Sequence, residues 1–122
     1  AKIDDDKGDG VNDVKIFCFD WTLLKAKHNH NVNFIFHDSR LLSEIDTRQV
    51  ATLFQVAYDN THRDNLQYII SSNQNLIDSL KNELSEEEYQ NLITDSIILE
   101  LTDESDESKL LGIQLDLDYD RE

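Results

Sequence analysis

Along the chain, apolar and polar positions first alternate without a period. Residues 1–13 are acidic, include Gly8 and Gly10, and are expected to form a flexible lead-in. From Val14 the spacing turns helical. Val14, Phe17, Cys18, Trp21 and Leu24 recur at three- and four-residue steps, while Ile16, Phe19 and Leu23 place apolar groups on other faces. This predicts a helix over 14–24 that is buried on more than one side. Residues 32–36 are a short apolar run lacking clean alternation, as in a central strand covered on both faces. Asp46 followed by Gln49 resembles a capping box, and Val50, Leu53, Phe54, Ala57 and Tyr58 line one stripe of the helix it opens. A second strand is expected at 66–70, then a shorter helix through Leu76, Ile77 and Leu80. Ser85 and Glu88 form another capping box, with Leu84 and Tyr89 placed as a hydrophobic staple. Further on, Ile97, Leu99 and Leu101 alternate with polar residues, as do Leu111, Ile113, Leu115, Leu117 and Tyr119, across an acidic connection at 102–108. That pattern predicts a terminal antiparallel hairpin. The order α-β-α-β-α-α-β-β predicts a single α/β domain over 14–122, a short mixed sheet flanked by helices with the hairpin added.

Composition narrows the function classes. With 122 residues, 39% of them hydrophobic, the chain is expected to bury one core. Its formal charge of −15 argues against direct, sequence-independent binding to nucleic acid, which relies on Lys and Arg neutralising phosphates. The single cysteine, Cys18, has no internal disulfide partner and reads as a small buried hydrophobe in a reducing cytoplasm. No apolar run is long enough to cross a bilayer, and the first residues lack the apolar core of a signal peptide, so a soluble domain with no membrane partner is expected. The absence of methionine reads as a piece of a longer protein.

Chemistry concentrates where the first strand ends. The run from Asn33 through Phe36 leads into His37, Asp38, Ser39 and Arg40, with Ser43, Glu44, Ile45 and Asp46 shortly after. An acid at the end of an apolar strand is how ATPases of the phosphate-loop class present the carboxylate associated with Mg²⁺, the Walker B position. Asp38 occupies it. The second strand ends in Ser71, Ser72, Asn73 and Gln74, so two strand ends would aim polar groups at one point, where open α/β sheets place ligands. In such a lobe a glutamate following the acid polarises water. Here the residue is Ser39, a poor base at neutral pH, leaving Glu44 to reach in from the loop and Asn73 or Gln74 to orient water. The other half of a nucleotide site is missing, because no G-x-x-x-x-G-K-[ST] motif occurs and Gly8, Gly10 and Gly112 cannot build one.

Three segments carry a resemblance: GDGVNDVKIFCFD at 8–20, FIFHDSRLL at 34–42 and DESDESKLLGI at 103–113. Together they resemble the C-terminal domain of unknown function of bacterial YydD-type proteins, long coiled-coil ATPases similar to the SMC class. The resemblance covers the chain from about Gly8 to its end. It implies the C-terminal half of an SMC-like ATPase head, completed by an N-terminal phosphate-loop segment of the same parent protein and by a second head in a dimer. Mg²⁺ and ATP would be bound by the complete head, and the isolated domain would be inactive. By position, Gly8 and Gly10 would stand where such heads carry the signature loop that contacts ATP on the partner head. Ser43 to Asp46 would match the loop by which two heads touch. The usual serine before the glycines is absent, and Ser39 and Asn73 replace a glutamate and a histidine, which implies slow hydrolysis or binding alone.

Two other classes compete. One is a non-catalytic acidic interaction module in which the strand-end residues are structural. A head lobe parted from its other half would expose an apolar face, whereas a self-sufficient module would not. The other is a small metal-dependent nuclease using His37 and Asp38, with His28 and His30 nearby in sequence, but no third ligand stands at a familiar spacing. Asp4, Asp5, Asp6 and Asp9 resemble a calcium loop interrupted by Lys7, and Asp116, Asp118 and Asp120 read as the wet face of a strand.

Overall fold

A computed structural model describes residues 8–110 of the protein. Helix α1 spans Asp9–Ala26, strand β1 Phe34–His37, helix α2 Thr47–Asp64, strand β2 Gln67–Ile70, helix α3 Gln74–Leu80 and helix α4 Glu86–Leu92. Short 3₁₀ turns lie at Ser39–Leu41, Thr94–Ser96 and Asp106–Ser108. The two strands pair in parallel, with Phe34 opposite Gln67 and His37 opposite Ile70. Parallel neighbours cannot be joined by a tight turn, so α2 serves as the crossover of a β-α-β unit.

Helix α1 starts at Asp9, ahead of the first apolar position, and is closed by Lys27 in the left-handed region (φ 51°). Asn65 ends α2 in the same way (φ 52°), a conformation that asparagine tolerates better than most residues. Asp46 caps α2, its carboxylate accepting the Arg48 N–H at 3.0 Å, but the capping box expected with Gln49 is not formed. The Ser85–Glu88 capping box of α4 is complete: Ser85 Oγ accepts the Glu88 N–H and Glu88 Oε2 accepts the Ser85 N–H. Each such cap satisfies backbone donors that the first helical turn leaves without partners.

The core lies on one side of the sheet. Phe17, Trp21 and Leu24 of α1, Ile35 of β1, Leu42 and Ile45 of the following loop, and Val50, Ala51, Leu53, Phe54 and Ala57 of α2 are buried together. Leu80, Leu84 and Ile93 extend it. The C-terminal ends of α1 and α2 are joined by Lys25, whose Nζ donates to the buried Asn60 Oδ1 at 2.9 Å and lies 3.4 Å from Asp64.

Several expectations are corrected. Helix α1 buries one stripe only: Ile16, Phe19 and Leu23 stay in solvent and Cys18 is exposed. Strand β1 is covered on one face, with Ile35 and His37 inward and Phe34 and Phe36 outward at 51% and 57% exposure. The absence of alternation in its sequence therefore reflects an apolar face left open. No antiparallel hairpin is formed by the described residues. Residues 97–101 make no strand, and Ile97, Ile98, Leu99 and Leu101 are exposed, so their alternation lacks the covering surface that would turn it into a half-buried strand. The second arm, at 111–119, lies outside the described residues, as do residues 1–7 with Asp4, Asp5 and Asp6, and the acids Asp116, Asp118 and Asp120. The acidic connection folds locally, with Ser108 Oγ donating to the Thr102 carbonyl at 3.0 Å. Among the described residues no helix is long and apolar enough to cross a membrane.

At Gly10 helix α1 comes close to the loop that follows β1. A Cβ there would sit 2.6 Å from the carbonyl oxygen of Glu44, a backbone atom that cannot swing aside. Gly10→Ala is expected to lower stability by about 1–3 kcal/mol, the usual cost of overpacking, measured as a shift in the denaturation midpoint. In the same assay Leu42→Ala, at a position 1% exposed, should cost about 2–5 kcal/mol, while Phe36→Ser on the open face should change stability by less than about 1 kcal/mol.

Candidate functional site

Because β1 and β2 run parallel in register, the residues just past them, Asp38 and Ser71, emerge side by side. Ser71 Oγ donates to Asp38 Oδ1 at 3.0 Å, Ser39 Oγ donates to the same oxygen at 3.1 Å, and the Ser39 N–H donates to Ser71 Oγ at 3.2 Å. This closed triangle ties the two strand ends together and points a carboxylate out of the sheet. The Ser71 hydroxyl, followed by that of Ser39 and the N–H groups of Ser39 and Arg40, holds the Asp38 carboxyl below its ordinary value of 3.8.

Behind Asp38 the preceding residue is fixed more firmly. His37 is 6% exposed, its Nε2 2.8 Å from Asp20 Oδ2 on α1 and its Nδ1 3.0 Å from the Tyr68 hydroxyl on β2. A carboxylate only accepts, so the Nε2 proton points to Asp20, while Nδ1 faces the Tyr68 hydroxyl, which can donate or accept. The imidazole sits among aromatic rings, 5.5 Å from Phe17 and 5.4 Å from Tyr68 between centroids, and Tyr68 lies 5.6 Å from Trp21. Burial, with a smaller contribution from the Asp20 charge, pushes the Tyr68 phenol well above the ordinary tyrosine range.

The remaining candidates are placed as follows. Gly8 and Gly10 open α1 and lie against the loop that carries Ser43 to Asp46, through the contact of Gly10 with Glu44, so these two candidate loops are neighbours. Ser43 Oγ donates to the Arg40 carbonyl at 3.0 Å and Asp46 caps α2, while the Glu44 side chain is exposed. Asn73 and Gln74 are engaged in α3: Asn73 Oδ1 accepts the Leu76 N–H at 2.9 Å as N-cap, and Gln74 donates to Asp78 at 2.9 Å. It is Ser71 that touches Asp38. The sequence reading places Ser71 among the polar groups of that strand end but gives the roles to Asn73 and Gln74, although in-register pairing of two strands of equal length points to Ser71. Asp20, His37 and Tyr68 carried no such signal as a set, since three separate elements bring them together.

A cation is tested by its donors. Among the described residues no group of three or more His, Cys, Asp and Glu side chains converges, so zinc and the further carboxylates of a nuclease centre find no cage there. His30 is used within its loop, 2.8 Å from the Leu23 carbonyl. One carboxylate with two hydroxyl neighbours offers oxygen alone, which fits Mg²⁺ held by an acid through water and by phosphates of a bound nucleotide. Asp38, with Ser39 and Ser71 beside it, would hold such an ion, whose chemistry is the neutralisation of phosphate charge.

With this geometry established, the chain belongs to the family described as an uncharacterised protein conserved in bacteria (DUF2326), the match extending over residues 1–115. No curated protein and no solved structure matches it. Family membership agrees with the expected bacterial domain of unknown function.

The Asp38 environment yields a test. Followed by carboxyl ¹³C shifts in an NMR titration, Asp38 should titrate below 3.8, and Ser71→Ala should move its midpoint upward by removing the leading donor. Because the folded value is depressed, any stability it contributes is present above the unfolded value and is lost as pH falls through the folded one.

Proposed function

We propose that the chain is the C-terminal lobe of an SMC-like ATPase head that supplies the Mg²⁺-associated acid Asp38 and is inactive alone. The observation that carries this reading is the meeting of Asp38 and Ser71 at adjacent carboxyl ends of parallel strands, joined at 3.0 Å. Open α/β sheets bind ligands in that position. A two-stranded sheet with Phe34 and Phe36 exposed on one face also supports a lobe that is completed by more structure. In this reading an N-terminal phosphate-loop segment of the same parent covers the sheet and brings the phosphates. A second head meets the neighbouring loops at Gly8–Gly10 and 43–46. Glu44 and Ser39 are the groups nearest in sequence to a water-activating role, and Asn73 and Gln74 act in α3.

A non-catalytic interaction module is the second reading. The acidic surface of a chain of charge −15, suited to a basic protein partner, favours it.

Calorimetry with Mg²⁺-ATP separates the two, run on this chain alone and on the chain refolded with the phosphate-loop segment. Binding only in the combined sample, weakened at least about tenfold by Asp38→Ala, is the expected outcome. No binding in a combined sample shown to be folded would overturn the ATPase-lobe reading in favour of the interaction module.

A further inference from the structure

We propose that Asp20, His37 and Tyr68 form a positioning chain that couples helix α1 to Asp38 and sets the angle at which that carboxylate meets Mg²⁺. The inference rests on the reading of Asp38 given above and adds residues to it. Its basis is geometric. The chain crosses three elements, from Asp20 on α1 through His37 on β1 to Tyr68 on β2, with contacts of 2.8 and 3.0 Å. His37 directly precedes Asp38, so the ring orientation and the strand-end orientation are set by consecutive Cα atoms.

A residue serving only to fill the core at position 37 would be apolar. The buried imidazole instead has both ring nitrogens engaged, which leaves the ring one orientation, and Phe17 and Tyr68 flank it. Asp38 is then gripped from the other side by Ser71 and Ser39. Between these two sets of bonds the strand end has little freedom to rotate. Asp20 is the link that reaches across to α1, the helix that begins at Gly8–Gly10. It is half-buried, with its side chain 36% exposed, so truncating it opens no core cavity. Groups behind a metal ligand that fix its orientation typically cost about 10–100-fold in metal affinity when lost, and a role confined to orienting Asp38 leaves contacts to the rest of the nucleotide in place.

The test uses the complete head, this chain joined with the phosphate-loop segment, and reads ATP affinity by calorimetry from zero to saturating Mg²⁺. Asp20→Ala should raise the Mg²⁺ concentration for half-saturation about tenfold, leaving Mg²⁺-free ATP affinity within about twofold. Asp20→Asn retains an oxygen acceptor for Nε2–H and should restore the value to within about threefold. Tyr68→Phe, which removes only the hydroxyl, should raise it as well. An unchanged Mg²⁺ requirement in folded Asp20→Ala would overturn the proposal, as would equal loss in the Ala and Asn variants or a parallel fall in Mg²⁺-free affinity. A folded wild-type head that binds no ATP overturns the reading of the site and the proposal with it, and this outcome is distinct from the others because it is seen without any substitution. A second measurement needs no nucleotide: ring ¹⁵N shifts of His37 in this chain should show a proton held at Nε2, facing Asp20. An Nε2 without a proton would overturn the chain itself.

Discussion

Pairing Phe34–His37 with Gln67–Ile70 in parallel obliges the chain to travel from the end of one strand back to the start of the next, and α2 is the segment that does so. Much else follows from that return path. The stripe from Val50 to Ala57 must face the sheet, which assigns one sheet face to the core. The parallel direction also gathers both carboxyl ends at one edge, so that two short polar side chains, Asp38 and Ser71, meet without any loop being built to bring them together. An antiparallel pair of the same two segments would have put Asp38 beside the beginning of β2 instead.

The interior next to this edge is unusual in carrying a polar chain through an aromatic cluster. Phe17 and Tyr68 flank His37, with Trp21 packed on both of them, and a buried hydrogen-bonding ring in such surroundings needs its nitrogens satisfied. Asp20 and Tyr68 satisfy them. Polar specificity and apolar burial are therefore combined at one residue, and the orientation of β1 relative to α1 is determined by directional bonds as well as by packing. At the C-terminal end of α1 the Lys25 contacts to Asn60 and Asp64 do the corresponding work for α2.

The most periodic parts of the chain were the most legible. The α2 stripe, its Asp46 cap and the Ser85–Glu88 box could be read from spacing because each depends on residues within one or two turns. Helix α1 was misjudged for the opposite reason: its apolar residues lie all round, so periodicity could not tell the buried Phe17, Trp21 and Leu24 from the exposed Phe19 and Leu23. The open face of β1 and the solvent-facing Cys18 were hidden for the same reason. Asp38 was legible as a strand-end acid, whereas Ser71 required the register and the Asp20–His37–Tyr68 chain required the full tertiary arrangement, since separations of 17 and 31 residues leave no local trace. The alternation at 97–101 is a pattern that local sequence shares between strands and extended segments without a partner.

The open sheet face has a consequence for the life of the chain in a cell. Among the described residues Phe34 and Phe36 are exposed on a two-stranded sheet whose edges carry no further strand, the kind of surface that chaperones and proteases survey and on which newly made chains stick to one another. Covering that face soon after synthesis protects the chain from both fates. A chain whose two outward phenylalanines stay wet is thereby the more prone to self-association.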